Sequence, residues 1–546
     1  MKISHKYIIV TGGVMSGLGK GLLAASLAKL LSASGYTVAP IKFDGYLNVD
    51  AGTINPFKHG EVFVLDDGTE TDMDLGTYER FLNASLDSWS SLTGGQIFQR
   101  IIEKERQGEF LGQDIQFIPH VTNEIISWIR QKDDIVDITL VEVGGTVGDI
   151  ENAYFIEALR QLALSCDRSD FCWVHVTLIP VLTVVGEQKT KPTQASVKTL
   201  QGMGVQPDLL LCRSEKPLKI DVRQKVALFC NISTSDVISG HDVPIIYEYP
   251  FQLLEEEILT SLFKKLQIGP KKLPTLSTWR TILEKIRNPI GEVVIGIGGK
   301  YTALGDAYVS IVKALTHAGA HLSIKVNPIF IETTDINEKD IEHHIHSCDG
   351  IIIPGGFGYR GIEGKISLIT KLRENKIPFL GICLGLQCAI IEYARNVCGL
   401  KNANSTEFAS DTPHPVIDLL PSQRTVYRKG GTMRLGLYPV VVSEGTKVHT
   451  IYAEKEINER FRHRFEINPE YVSQLVAKGF TFSGMSSDNS VVHIGELTDH
   501  PFFVGTQFHP EFLSRFEQPA PLFKALVKSS WEYKKRKKNR RKSSFF

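Results

Sequence analysis

What this sequence lacks narrows its function first. Its eight cysteines are scattered through 546 residues with no CxxC pair and no regular spacing, which argues against a disulfide scaffold and a zinc site and predicts a reducing compartment. No apolar run approaches the roughly 20 residues that cross a bilayer. The apolar stretch inside MKISHKYIIVTGG is shorter than a secretory core and runs straight into glycines, so a cytoplasmic protein with no membrane partner is expected. Net charge is missing too. Sixty-one basic residues balance sixty-one acidic ones, leaving no long-range field to grip nucleic acid. There is no short internal repeat, which sets aside the solenoids.

What is present is length, and with it domains. A chain of 546 residues exceeds what one hydrophobic core organises. Two segments open alike, an apolar strand entering glycines and then a helix: Lys6 to Thr11 before Gly12 and Gly13, and Val293 to Ile297 before Gly298 and Gly299. In the first half, strand-like runs at Val38 to Phe43, Ile138 to Val143, Cys172 to Ile179, Asp208 to Cys212 and Pro244 to Tyr249 alternate with helical patterns at Gly21 to Ser34 and Asn152 to Ser165. The second half repeats the alternation at Leu322 to Val326, Gly350 to Ile353 and Pro378 to Ile382, with later strands at Leu437 to Val442 and Phe502 to Thr506. The fold class is therefore α/β, with two doubly wound, mostly parallel sheets. Domains are expected at 1–267 and 291–530, with a proline-broken linker at 268–290 between them. The last residues, 531–546, WEYKKRKKNRRKSSFF, cannot bury themselves and read as a disordered solvated tail. A contact with RNA or an anionic surface is the lesser reading of that run.

The first half carries a candidate nucleotide site. TGGVMSGLGKG follows the first strand, where backbone N–H groups can wrap a phosphate chain and Lys20 brings a positive charge. It departs from the standard phosphate loop. Val14 stands where a glycine is usual, and Gly21 replaces the hydroxyl residue that would hold magnesium. A magnesium ion would then need carboxylates. Glu142, closing the buried strand DITLVE, and Asp74, in ETDMDLG, are the candidates. Either acid alone would read as a solvated or capping carboxylate, but the adjacent loop favours the ligand reading.

The second half carries a candidate thiol site. IPFLGICLGLQ puts Cys383 in GxCxG between a strand and a helix, the sulfur counterpart of a nucleophile elbow, where the helix N-terminus favours thiolate. GTQFHPEF supplies His509 as base and Glu511 to orient it. Backbone N–H groups near Gly356 in PGGFG, with that of Leu384, can form an oxyanion hole. These parts describe amide hydrolysis through a thioester. Cys166, Cys212, Cys230, Cys388 and Cys398 read as structural.

The elbow and FHPEF resemble the class I, triad-type glutamine amidotransferases. TGGVMSGLGKG, HGEVFVLDDGTETDMDLGTYERF, VEVGGTVGDIE and GEQKTKPTQASVK, in that order, resemble the amidoligase domain of the CTP synthase family, so that the likeness spans nearly the whole chain. The cobyrinic acid amidating enzymes share a similar loop and glutaminase, but KTKPTQ argues against them. A filament protein with vestigial catalysis is the reading from another class, and the intact charged residues argue against it.

The resemblance implies ATP-dependent amination of UTP to CTP with ammonia from glutamine, through a phosphorylated UTP. It implies Mg2+ on Asp74 and Glu142. ATP would lie on Gly17, Leu18, Gly19, Lys20, Gly21, Leu22, Lys42, Asp74, His241, Asp242 and Val243. UTP, or CTP as feedback inhibitor, would meet Ser16, Asp149, Ile150, Glu151, Lys189, Thr190, Lys191, Pro192, Thr193, Gln194 and Lys225. Glutamine would meet Gly356, Leu384, Gly385, Leu386, Gln387, Glu407 and Arg464. GTP as activator is implied near Arg434 in GGTMRLG, and a homotetramer able to form filaments as the assembly. Relative to the family pattern, Gly17 replaces a serine, Gly45 a proline and Val181 an aromatic residue. Gly45 is expected to loosen the loop after Lys42.

Overall fold

Strands buried on both faces read as continuous apolar runs, and three in the first half are of this kind: Lys6–Gly12, Ile138–Val143 and Phe171–Leu178 are buried along almost their whole length. The computed structural model describes residues 5–54, 60–182, 186–300, 305–420, 423 and 430–543. The chain divides into two units. One holds Met1–Ala51 and Asp74–Ser277; the other holds Gly52–Met73 and Thr278–Phe546.

The first unit is built on a seven-stranded sheet, in the order Val237–His241, Leu209–Ser214, Phe171–Leu178, Lys6–Gly12, Ile138–Val143, Val38–Asp44, Ser91–Thr93. Every neighbouring pair is parallel. Lys6–Gly12 sits at the centre, so the loop that follows it opens at the C-terminal end of the sheet, where α/β folds place ligands. One expected strand is absent. Pro244 to Tyr249 forms a 3-10 turn, Ile246–Glu248, and the start of helix Tyr249–Glu255, with Pro250 in its first turn. The edge strand is instead Val237–His241, whose serine and glycine hid it in the sequence.

In the second unit a nine-stranded sheet runs Ile324–Glu332, Gly291–Gly299, Gly350–Ile353, Phe379–Ile382, Phe503–Thr506, Val492–Leu497, Phe480–Met485, Arg434–Val442, Glu456–His463. The first five strands are parallel and the rest antiparallel. The expected parallel sheet is thus the half that carries Cys383.

Three segments differ from expectation. Residues 52–73 leave the first half of the chain to pack in the second unit, where Phe63 meets Phe512 with ring centroids 5.2 Å apart. Half of the expected linker is a helix, Ser277–Arg287, held by Trp279 against Phe516 at 4.5 Å. The basic run is helical as far as Ser543, continuing Pro521–Ser543. Trp531 explains its docking, since a Cβ on Gly291 would lie 2.2 Å from the indole. No helix among the described residues is long and apolar enough to cross a membrane.

Candidate active sites

In the first unit, the phosphate loop connects the central strand to helix Lys20–Ala33, with Val14, Gly17 and Gly19 all at positive φ. The loop rests on a buried relay. Thr11 Oγ1 and His175 Nδ1 are 2.9 Å apart, and His175 Nε2 and Ser196 Oγ 2.7 Å. A Cβ on Gly13 would fall 1.6 Å from Ser196 Oγ, so glycine is required there. Burial pushes the imidazole down to about 3 with help from Lys20, which keeps the relay neutral.

Parallel register brings the charges together. Lys42 lies beside Glu142 on the neighbouring strand, and its ammonium bonds Asp74. Lys20 Nζ is buried and donates to Gly145 O at 2.7 Å. Burial lowers its pKa, Lys42 adds to the fall, and Glu142, Asp74 and Asp44 oppose it. Glu142 is 2% exposed, accepts a hydrogen bond from Tyr78, and is pushed up to about 7 by burial and then by Asp74. Gly21 is where a Cβ would come within 2.6 Å of Asp74 Oδ1; the absent hydroxyl side chain leaves that space to the carboxylate. Two hard-oxygen carboxylates beside two lysines suit a magnesium ion that takes its other ligands from phosphates and water. Among the described residues no group of three or more His, Cys, Asp or Glu side chains is placed to hold a metal ion.

The other residues expected at the nucleotide site divide. Arg213, which sequence reasoning missed, binds Asp242 Oδ1 at 2.7 Å and approaches Gly19, whose added Cβ it would meet at 3.9 Å. This ties His241 and Asp242, both bonded to Arg213, to the loop side of the sheet. Ser16, Ile150, Lys191 and Lys225 are exposed and Lys189 is half-buried, and Lys225 acts on Glu187, the ion-pair partner of Lys189. Asp149 Oδ2 caps Thr146 N at 2.8 Å. Thr193 instead turns inward, fully buried, donating to Leu178 O at 2.9 Å. Thr190 and Gln194 bond each other at 3.0 Å.

Gly45 is not in a loose loop. An added Cβ would lie 2.5 Å from Asn152 Oδ1 and 2.7 Å from Glu151 O. Gly45→Ala is therefore expected to destabilise the first unit by about 1–3 kcal/mol. Thermal melting should show an early transition lowered by several degrees, and an unchanged melt would mean the loop has room after all. Gly17, in contrast, has nothing within 4 Å, and its φ of +76° is the only obstacle to a side chain.

In the second unit, Cys383 ends strand Phe379–Ile382 and precedes helix Leu384–Asn396 with φ 51° and ψ −100°. A non-glycine residue in that region is strained, and its neighbours hold it there. A Cβ on Gly385 would fall 2.1 Å from Ile353 O, so the helix start packs directly on the sheet. His509 Nδ1 and Glu511 Oε1 are 2.8 Å apart, and the imidazole stacks on Phe512 with centroids at 4.9 Å. His509 Nε2 is buried with no hydrogen-bond partner. Burial alone would lower the imidazole, but Glu511 and the Cys383 thiol together carry it up to about 10. A cation beside the sulfur is what thiolate chemistry requires.

These residues line a cavity of about 230 Å3 together with Gly355, Gly356, Phe357, Tyr308 and Arg462. A Cβ on Gly355 would meet His509 Cε1 at 2.7 Å and Cys383 Cβ at 3.6 Å, so the PGGFG loop passes directly over the thiol. Glu407 reaches this loop, accepting from Gly358 N at 2.7 Å. Gly385 and Leu386 pack into the sheet, while Gln387 donates to Phe465 O at 2.9 Å and to Gln507 Oε1 at 3.2 Å. Gln507 in turn donates to Cys383 Sγ at 3.4 Å. Arg464 holds Gln423 and Thr432 at 2.6 and 3.1 Å. Arg434 lies over the Tyr438 ring at 4.3 Å.

Sequence reasoning missed one wall of this cavity. Gly52, Ile54, Glu61 and Val62 come from the 52–73 excursion. Arg462 anchors that excursion, donating to Glu70 Oε1 at 2.8 Å and to Gly52 O at 3.3 Å. No local pattern in the sequence pairs positions so far apart.

Residues 6–268 match the family model for the CTP synthase N-terminus, and residues 303–529 that for class I glutamine amidotransferase. A CTP synthase of Caldanaerobacter subterraneus is 51% identical over 96% of this chain and 98% of its own length. The chain belongs to the CTP synthase family. A second CTP synthase, from Methanocaldococcus jannaschii, is 50% identical over 97% of this chain and 99% of its own. The glutaminase domain of Trypanosoma brucei CTPS, solved with bound acivicin, aligns with a TM-score of 0.41 at 32% identity, covering 44% of this chain and 94% of that one. As a CTP synthase family member, the chain is a glutamine-hydrolysing ligase of pyrimidine nucleotide biosynthesis, and ATP is its co-substrate.

Proposed function

We propose that the chain aminates UTP at C4, consuming ATP and the amide nitrogen of glutamine, and that the two sites described above divide this work. In the second unit Cys383 Sγ attacks the glutamine amide carbon, and His509 hands a proton to the departing ammonia. The N–H groups of Gly356 and Leu384 face the developing oxyanion, and water then releases glutamate from the thioester. In the first unit Lys20 and Lys42 orient and neutralise the ATP phosphates. Asp74 and Glu142 would hold Mg2+, which would supply further charge neutralisation. The C4 oxygen of UTP is a poor leaving group until phosphorylated; ammonia then adds at C4 and phosphate departs. Ser16, Asp149 to Glu151, Lys189 to Gln194 and Lys225 are the residues proposed for UTP or inhibitory CTP. Within that set, Thr193 acts by shaping the segment, because its hydroxyl is spent on Leu178 O.

The observation that carries this reading is the pairing, in one chain, of a strained thiol lining a cavity of about 230 Å3 with a glycine-rich loop that runs from the central strand into Lys20. Glutamine is proposed to meet Gly356, Leu384 and Arg462 directly, with Gly385, Leu386, Gln387 and Glu407 holding the walls and Arg464 holding Gln423 and Thr432. GTP activation near Arg434, a homotetramer with filaments, and a cytoplasmic setting belong to the same proposal.

The test is a stoichiometric assay. ATP, Mg2+, UTP and glutamine should give CTP, ADP, phosphate and glutamate in equal amounts. Folded protein that makes no CTP even from ammonium salt would refute the reading.

A further inference from the structure

We propose that Ser196, His175 and Thr11 are positioning residues of both nucleotide sites: their buried hydroxyl–imidazole–hydroxyl relay fixes the phosphate loop against the helix whose first turn carries residues proposed for UTP. This rests on the reading of that loop as the ATP site and of Lys189 to Gln194 as the UTP segment.

The argument starts from how the helix meets the sheet. Helix Lys191–Gly202 packs on strand Phe171–Leu178, and such an interface is ordinarily apolar. Here its first two turns present hydroxyls. Thr193 and Ser196, three residues apart, share one helix face, and His175 and Thr177, two apart, share one face of the strand. Thr177 Oγ1 donates to Thr193 Oγ1 at 3.1 Å, and His175 Nε2 and Ser196 Oγ lie 2.7 Å apart. All four side chains are buried. Hydrogen bonds have a length and direction that apolar contact lacks, so this pairing sets the helix at one height along the strand.

The far side of the imidazole reaches the loop. Thr11 is the register partner of His175 on the central strand, and its Oγ1 lies 2.9 Å from His175 Nδ1. The next residues, Gly12 and Gly13, open the loop, and Gly13 N donates to Val176 O at 3.0 Å. The place a Gly13 side chain would fill is taken by Ser196: an added Cβ would fall 1.6 Å from its Oγ and 3.1 Å from His175 Nε2. The loop backbone thus lies directly on the two groups that dock the helix. Burial keeps the imidazole neutral, so one ring nitrogen donates while the other accepts, and both hydroxyls are satisfied in either tautomer. Removing either hydroxyl orphans a buried nitrogen. The loss is felt at both ends, because a single ring joins them.

Ammonia-dependent CTP formation, with ATP and UTP varied in turn, tests this. Ser196→Ala changes the UTP helix, yet it should raise KM for ATP as well as for UTP, each by about fivefold or more, with kcat lowered less than about threefold. Thr11→Val changes the strand before the ATP loop, yet it should raise KM for UTP to a like degree. A mere loss of folded protein would lower kcat and leave both KM values in place. Thr11→Ser keeps the hydroxyl and should match the parent. The double variant Ser196→Ala with Thr11→Val should be no more than about twofold worse than either single one, since each already breaks the same relay.

The proposal is overturned by a Ser196→Ala protein whose KM for ATP is unchanged, by a Thr11→Ser as impaired as Thr11→Val, or by effects that multiply in the double variant. Should Ser196→Ala fail to fold, Thr11→Val and Thr11→Ser decide through KM for UTP. Lys20→Ala separates the two readings: synthesis retained there refutes the ATP loop itself, whereas its loss beside a normal Ser196→Ala refutes only the relay.

Discussion

Replacing Cys383 by alanine should abolish CTP formation from glutamine and leave formation from ammonia near the parent rate. The loss should be at least about 10^4-fold, the scale seen when a nucleophile is removed from a triad. The structure makes the separation sharp. The thiol sits on a strained elbow within the second unit, while Lys20, Lys42, Asp74 and Glu142 all belong to the first. Alanine occupies the space of the β-carbon without a nucleophile, and helix Leu384–Asn396 keeps its packing on Ile353. The measurement is CTP formation with each nitrogen source. Equal loss from both would mean that the thiol does more than release ammonia.

Lys20→Ala should give the complementary result. CTP formation should fall by roughly 10^3-fold with either nitrogen source, a magnitude typical of removing one charge clamp from phosphoryl transfer. Glutamine hydrolysis without nucleotides should persist. Lys20 is buried, its pKa held down by burial and by Lys42, so water competes little for its ammonium with the phosphates it is proposed to bind. Its ammonium also fixes Gly145 O, which means Lys20→Arg should not rescue, because the larger head cannot keep that contact beside Gly12, where an added Cβ would already meet the Lys20 side chain at 2.7 Å. Retained synthesis in Lys20→Ala would remove the loop from the account.

Much of this was legible in the sequence because local rules carried it. Burial on both faces wrote Gly350–Ile353 as an unbroken apolar run and left Ile138–Val143 mostly apolar around Glu142, and the glycine spacing around Cys383 encoded a turn that only a close helix–sheet approach demands. His509 and Glu511 were legible as a pair because only Pro510 stands between them. The illegible parts have a common cause in long-range packing. Arg462 and Glu70, or Arg460 and Asp66, form ion pairs between residues almost 400 positions apart, and no periodicity connects them. The excursion 52–73 looked like part of the first half because sequence order is all the sequence supplies. Val237–His241 escaped because serine and glycine in a short edge strand mimic a turn. The basic end was read as tail from its charge, while Trp531 and Tyr533, which dock the helix, were outnumbered by lysines. Gly45 shows the opposite error: a glycine taken as freedom is there because Asn152 and Glu151 leave no room for a side chain.

The most direct test follows the nitrogen. With glutamine labelled at the amide by 15N, together with ATP, Mg2+ and UTP, the label should appear at the C4 amine of CTP, with one ADP formed for each CTP. CTP lacking the label, or UTP unchanged while ATP and glutamine are both consumed, would contradict the coupling of the two sites.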